Sequence, residues 1–221
     1  MKPVFFLALV LSFACSSGVD LGMDGGAGAG GEAGAGGEAG AGGKAGAGGG
    51  AGGGGGGAGT DTGRTERVIF VTTGAHRADL GGTSGADALC ASEASAAGLP
   101  GEFKAWLSTI DSAVADRMTR SSVPYVRTDG ARIADDWDDL TDRMIQSFIN
   151  LDPSGVERAG DVWTGTLPNG LSNMEGGDCE GFTSGTGGVA LCGSTRSINE
   201  GWTASRLPSC DTPLRLYCIE Q

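Results

Sequence analysis

Six cysteines are the side chains of this 221-residue chain best suited to covalent chemistry. Five of them come late, at Cys90, Cys179, Cys192, Cys210 and Cys218. The sixth, Cys15, directly follows a short apolar segment. In an exported protein these thiols are expected to form disulfides, although spacing alone does not choose among the pairings. Because five is an odd number, at least one late cysteine stays unpaired unless Cys15 joins the set.

The cysteine spacing is not that of a zinc site, because no CxxC occurs and His76 is the only histidine. His76 stands in the segment GAHRAD with no motif around it, and no G-x-S-x-G segment marks a hydrolase serine. We therefore expect His76 to be an exposed loop residue. The sequence predicts no metal site, no cofactor and no enzymatic activity.

Carboxylates are the other chemically capable group. The segment 135–142, DDWDDLTD, places five aspartates around Trp137 and Leu140. Such oxygens bind calcium, but their spacing differs from that of a calcium loop. We favour an interpretation in which Trp137 and Leu140 pack inward and the aspartates face water. A pair such as Asp135 and Asp139 has the residue types of a glycan hydrolase, which is the least favoured alternative function.

The elements that would position these residues begin with a helix, a turn and a strand over residues 80–108. Thr83 or Ser84 is predicted to cap the helix, with Asp87 as the acidic half of a capping box. Gly98 is placed for a left-handed cap at its end, and the strand that follows would turn Trp106 outward. An apolar stripe at helical spacing would face inward, formed by Ala86, Cys90, Ala94 and Ala97.

Short apolar or β-branched runs predict six further strands. Asp129-Gly130 is a strong hairpin signal between two of them, and Cys218 would face inward on the last. A short helix is also expected over residues 110–120, with Ser112 as its cap. The predicted strands cover residues 67–73, 123–127, 131–134, 146–150, 161–165 and 214–220.

The first residues resemble an export signal. Residues 1–14 carry an early lysine and then an apolar run that is too short to span a membrane. They end in Ser-Phe-Ala before Cys15, which resembles the lipobox of bacterial lipoproteins, in which this cysteine is acylated. We expect Cys15 to anchor the chain to a membrane. The alternative is ordinary signal-peptidase cleavage at the same bond, which would leave Cys15 free and the protein secreted.

Glycine and alanine dominate residues 15–62. Residues 27–50 are four hexads, AGAGGE, AGAGGE, AGAGGK and AGAGGG. Their period is six, without proline and without a glycine at every third place, so collagen is excluded and a disordered, flexible tether is predicted. An anchored cysteine, a tether and one folded domain together form a display architecture. The rival interpretation is a silk-like segment that self-associates.

Residues 63–221 are long enough for one domain with a substantial core. Over residues 60–221 there are 13 Lys and Arg against 23 Asp and Glu, which is a net charge of about −10. A protein that binds a phosphate backbone needs the opposite sign. The composition therefore argues against nucleic acid as a partner.

Several motifs in this domain resemble the endostatin domain of collagen, and more closely the endostatin-like domain of bacterial surface lipoproteins. They are LGGTSGADALC, AAGLPGEFKAWLS, SSVPYV, DDW, VWTGTLPNG, GGDCEGF, LPSC and LRLYCIE. The resemblance implies an α+β, C-type-lectin-like fold, with a helix packed on a mixed sheet. It also implies two disulfides, Cys90–Cys218 and Cys179–Cys210, and leaves Cys192 as a free thiol.

The chain departs from these families at their ligand sites. Sugar-binding C-type lectins carry Glu-Pro-Asn and Trp-Asn-Asp calcium motifs, where this chain has Leu167-Pro168-Asn169 and Gly201-Trp202-Thr203. Collagen endostatin binds heparin through arginines and zinc through histidines. An acidic domain with one histidine is expected to bind neither heparin nor zinc.

The sequence thus predicts a non-enzymatic adhesion module on the bacterial cell envelope, on the outer membrane and facing outward. It would bind an extracellular protein or polysaccharide without calcium, and a calcium-dependent lectin is the alternative. The polar region 167–209 is the expected contact surface, with Phe182 and Trp202 as aromatic anchors, although Trp202 is equally suited to the core. The candidate ligand residues are Asn169, Asn173, Asp178, Phe182 and Trp202.

Overall fold

A computed structural model describes residues 63–221. The predicted signal, Cys15 and the Gly/Ala tether lie outside the described residues. The described part is a mixed α+β structure with a curled mixed sheet and few helices. In chain order its elements are β1 (Arg67–Val71), α1 (Gly82–Ala96), β2 (Phe103–Ala105), α2 (Val114–Arg117), β3 (Tyr125–Arg127), β4 (Arg132–Ala134), α3 (Trp137–Leu140), β5 (Asp161–Trp163), a turn (Cys179–Phe182), β6 (Cys192–Ser194), a 3-10 helix (Glu200–Trp202) and β7 (Arg215–Glu220).

The sheet has seven strands in the order β4-β3-β1-β7-β5-β6, and β2 also pairs with β7. The first and last strands are neighbours at its centre, where Phe70 lies opposite Cys218 in antiparallel register. β1 runs parallel to β3, and β7 runs parallel to β5. The Asp129-Gly130 hairpin joins β3 to β4 as the sequence predicts, with Arg127 N donating to Ala131 O at 2.8 Å.

Both faces of the sheet are covered, which strict alternation did not predict. One face carries Phe70, Phe103 and Cys218 against α1. The other carries Tyr217 and Trp106, and Trp106 is fully buried rather than turned outward. Burying such a side chain stabilises the fold by about 1.5–3 kcal/mol. Central strands therefore contain apolar residues at consecutive positions, because each face has its own core.

The helix α1 follows the predicted stripe through Ala86, Cys90 and Ala94, all buried, while Ala97 is exposed at the C-cap. Gly98 has a φ of 72°, as expected of a left-handed cap. The predicted capping box is wrong. The helix begins at Gly82, one residue after Gly81, and no side chain caps it.

Asp87 has a different role from capping. Its Oδ1 accepts a hydrogen bond from Ala105 N at 2.9 Å, and its Oδ2 pairs with Arg117. Arg117 in turn donates to Ala105 O at 2.7 Å. The pair therefore fastens α1, β2 and α2 to one another.

Two other element predictions need correction. Residues 146–150 form no strand, and the helix predicted over residues 110–120 is the single turn α2, which Ser112 does not cap. Trp137 and Leu140 do pack inward as predicted, with exposures of 6% and 0%. Three of the five aspartates are exposed, whereas Asp136 and Asp139 are half-buried.

Candidate binding cleft

A left-handed turn is the least ordinary feature of the described chain. Cys179, Glu180, Gly181 and Phe182 all have positive φ, with values of 53°, 58°, 68° and 59°. The turn is closed by Phe182 N donating to Asp178 O at 2.7 Å. Each non-glycine residue in this conformation costs roughly 1–2 kcal/mol, because its Cβ crowds the next carbonyl. Other contacts must therefore hold the turn in place.

Three contacts hold it. The disulfide Cys179–Cys210 fixes its first residue. Phe182 fixes its last, since it is fully buried with its ring 5.9 Å from that of Trp163. Asp178 spans the turn and its neighbour: Oδ1 accepts from Gly181 N at 2.9 Å, and Oδ2 accepts from Ile110 N at 3.0 Å. The turn is thereby locked to the segment around residue 110.

An open cleft of about 530 Å³ lies between this turn, residues 109–111 and the start of α1. Its walls carry polar side chains of two kinds. Hydroxyls come from Thr83, Ser84, Thr109 and Thr183, and carboxylates from Asp111, Asp178 and Glu180. Hydroxyls donate and accept, whereas carboxylates accept, so the cleft suits a ligand rich in hydrogen-bonding groups. We call this the α1 cleft.

A second cleft, of about 420 Å³, contains His76, Arg77 and Asp79. Its walls include no hydroxyl and no thiol that an imidazole could activate. His76 itself is tied down by its backbone, since its N–H donates to Leu214 O at 2.7 Å and its carbonyl accepts from Trp163 Nε1 at 3.0 Å. The α1 cleft is therefore the richer of the two in groups that can recognise a ligand.

The structure does not bring the five predicted ligand residues together. Asp178 lines the α1 cleft, Asn169 is exposed on the turn at residues 167–171, and Asn173 is half-buried. Phe182 is fully buried, so its prediction as a contact anchor is wrong, and the burial of Trp202 agrees with the alternative that this side chain belongs to the core. Both are apolar enough to be drawn into the core, and neither lies in a periodic element that would have revealed its side.

Sequence reasoning missed most of the cleft. The sequence predicts Thr83 or Ser84 as the cap of α1, but neither makes a capping hydrogen bond, and both line the cleft. Asp111 and Glu180 lie in irregular segments with no motif around them. The available signal was the segment Asp178-Cys179-Glu180-Gly181-Phe182, in which a cysteine expected to be bridged stands next to a carboxylate and a glycine.

The five cysteines of residues 63–221 are arranged as two disulfides and one thiol. The bonds are Cys90–Cys218 and Cys179–Cys210, with Cα–Cα distances of 5.4 and 5.7 Å, the same pairs that the resemblance implies. Cys192 is the free thiol of the described part, and it is fully buried. Burial, followed by the nearby charge of Asp161, raises the pKa of Cys192 to about 11.

Gly201-Trp202-Thr203, which stands where sugar-binding lectins carry their second calcium motif, contributes two side chains to the core. Trp202 is buried 5.0 Å from the ring of Trp106. Thr203 Oγ1 accepts from Trp106 Nε1 at 2.8 Å and donates to Thr166 O at 3.0 Å. Within residues 63–221, no group of three His, Cys, Asp or Glu side chains is arranged to hold a metal ion.

No protein-family model matches the chain, and no curated protein matches it. Among the described helices, none is both long and apolar enough to cross a membrane.

Proposed function

We propose that residues 63–221 are a non-enzymatic binding module, displayed outside the cell, that recognises an extracellular protein or glycan without calcium. The observation that carries this proposal is the α1 cleft, an open space of about 530 Å³ lined by the hydroxyl residues Thr83, Ser84 and Thr109 and by the carboxylate residues Asp111 and Glu180. Asp178 and Thr183 also line it, but their side chains are hydrogen-bonded within the turn. Convergent polar groups held in fixed positions are what orient a ligand and give specificity. The left-handed turn and its disulfide supply the fixed positions.

Independence from calcium is supported by the state of the two motif positions. Leu167 offers no side-chain oxygen, and the hydroxyl of Thr203 is committed to Trp106 and Thr166. A calcium ion takes six to eight oxygen ligands. Recognition in this module would then depend on hydrogen bonds made directly by the protein.

The finer fold and the location belong to the same proposal. A C-type-lectin-like, endostatin-like fold is supported by α1 bridged to the last strand through Cys90–Cys218, and by β1 lying beside β7. A lipid anchor at Cys15, after a signal over residues 1–14 and before a tether to residue 62, would hold the module on the envelope. The two disulfides are compatible with an oxidising compartment.

A binding screen of the full chain against polysaccharides and extracellular matrix proteins tests the proposal. It is run in millimolar calcium and again in chelator. We compare Glu180→Gln, which keeps the shape of a cleft residue, with Glu175→Gln, an exposed carboxylate of the same region outside the cleft. Losing one charged hydrogen bond should weaken binding about tenfold or more in Glu180→Gln, and Glu175→Gln should match the wild type.

The other outcomes are equally definite. A ligand that binds only in calcium, and binds Glu180→Gln as well as the wild type, would favour the calcium-dependent lectin. Release of reducing sugar from a glycan would make the protein an enzyme. Equal affinity of the two glutamate variants, with or without calcium, would place recognition outside the α1 cleft.

A further inference from the structure

We call residues 63–66, which lead into β1, the leading segment. Arg64 in this segment contacts Glu220 in β7. Arg64 Nη2 donates to Pro100 O at 3.2 Å and forms an ion pair with Glu220 Oε1. The Glu220 side chain is 1% exposed, whereas that of Arg64 is 35% exposed. A surface cation therefore reaches down to a buried anion from a different part of the sequence.

Glu220 is held on both of its oxygens. Oε2 accepts a hydrogen bond from Val68 N at 2.9 Å, which ties it to the start of β1. Oε1 faces Arg64. Moving Arg64 away is unfavourable, because the buried Glu220 carboxylate then loses its counter-charge in a medium of low polarity. The leading segment is thus held by a contact that costs free energy to open.

Gly101 lies directly against the Arg64–Glu220 ion pair. Its φ is 107°, and a Cβ there would lie 2.6 Å from Glu220 Oε1 and 2.7 Å from Arg64 Nη2. Both distances are too short for a Cβ, so a side chain at residue 101 would push the ends of Arg64 and Glu220 out of their present positions. Three separate segments, the leading segment, the turn after α1 and β7, meet at this point.

We propose that Arg64, Gly101 and Glu220 form a latch that shields the Arg64–Thr65 peptide bond from arginine-specific proteases. Such a protease must take the guanidinium into its own acidic pocket, so Arg64 has to leave Glu220 before cleavage. Hydrolysis consumes one water, breaks the C–N bond, and leaves a carboxylate on Arg64 and an amine on Thr65. Residues 1–64 would then separate from the domain. The latch would thereby control whether residues 65–221 are released from the part of the chain that precedes them.

The test uses the full chain, an arginine-specific protease and the mass of the fragment that begins at Thr65. Two variants open the latch by different means: Glu220→Gln removes the charge, and Gly101→Ala inserts a Cβ. Each has a matched control. Glu102→Gln makes the same change at a carboxylate that is 70% exposed, and Gly98→Ala puts alanine at a φ of 72° with no atom within 4 Å.

Cleavage after Arg64 should be faster by about tenfold or more in both latch variants, because proteolysis follows the population of the open form. The controls should cleave like the wild type. Arg117, whose side chain is 12% exposed, reports global unfolding in the same digest. The latch is overturned if the wild type and Glu220→Gln are cut equally fast after Arg64. It is also overturned if cleavage after Arg64 and after Arg117 rises in equal proportion.

Discussion

The disulfide Cys90–Cys218 joins the middle of α1 to the middle of β7, whereas Cys179–Cys210 joins a left-handed turn to a loop. The first closes a separation of 128 residues, and the second closes one of 31. Around Cys90 and Cys218, helix and sheet pack through apolar side chains such as Phe70 and Phe103, whose rings are 5.3 Å apart. Around Cys179 the backbone is strained, and there is no ladder of strands to hold it.

The contrast separates two uses of the same chemical bond. Cys90–Cys218 reinforces a conformation that α1 and β7 already favour through packing. Cys179–Cys210 maintains a conformation that three of its four residues disfavour. The first bond is therefore expected to matter most for the free energy of unfolding, and the second for the shape of the α1 cleft.

The largest effect should follow removal of the longer bond. In the chain-entropy account, replacing Cys90 and Cys218 by alanine lowers the free energy of unfolding by about 5 kcal/mol, and replacing Cys179 and Cys210 lowers it by about 3.5 kcal/mol. Denaturant titration measures both differences. Hydrogen exchange at the amides of Phe182 and Thr183 should rise in the second variant beyond what its global stability explains.

The comparison fails if replacing Cys179 and Cys210 lowers the free energy of unfolding more than replacing Cys90 and Cys218 does. Exchange at Phe182 that tracks only global unfolding in both variants would mean that the left-handed turn does not need its disulfide. Binding of a cleft ligand gives an independent check, since the Cys179 variant should lose it at temperatures where the protein is still folded.

A smaller effect on stability is expected from the free thiol of Cys192 as pH rises. The ordinary pKa of its thiol is 9.0, and burial raises the pKa of Cys192 to about 11. Below pH 9 the thiol is protonated in both states. Between pH 9 and 11 it ionises in the unfolded chain only, so the folded state binds more protons and the free energy of unfolding falls by about 2–3 kcal/mol.

Denaturant titrations at pH 8, 9, 10 and 11 on the wild type and Cys192→Ala isolate this contribution, since Tyr217 and other groups titrate in both proteins. The difference in stability between the two proteins should shrink as pH rises. A difference that stays constant over this range would show that the Cys192 thiol ionises as easily when folded as when unfolded.

The smallest effect is expected from relieving the strain in the left-handed turn at Glu180. Glu180→Gly should stabilise the fold by about 0.5–1 kcal/mol, because relief of the left-handed strain exceeds the added freedom of the unfolded chain. Glu175→Gly, at a residue without a positive φ, should be neutral or destabilising. Thermal unfolding measures both. Loss of stability in Glu180→Gly would mean that the Glu180 side chain makes a compensating contact.

The sequence predicts the regular parts of the fold well, because periodicity reports burial. The stripe on α1 and the hairpin at Asp129-Gly130 follow from local pattern, whereas no pattern predicts the edge strand β6. The alternation in β2 and β7 misled, since it assigns one face to water and the sheet has a core on each side. Trp106 shows this: nothing in its immediate neighbours tells that a second layer covers it.

The cleft was largely beyond prediction for a different reason. Three of the four residues in the left-handed turn are not glycine, so local propensity argues against the conformation that they adopt. It exists because Cys210, Trp163 and Ile110 hold it from distant positions. The sequence predicts Asp178 as a ligand residue, and in the structure both of its carboxylate oxygens brace the turn.

The position of β1 beside β7 has a consequence for when this domain can fold. Synthesis delivers β1 first and β7 last, so the centre of the sheet stays open until residues near 219 have emerged. Contacts between such distant segments form slowly, and an unpaired strand invites association with other chains. We therefore expect the chain to need a holding chaperone until β7 has been made, with closure of the sheet as a single late event.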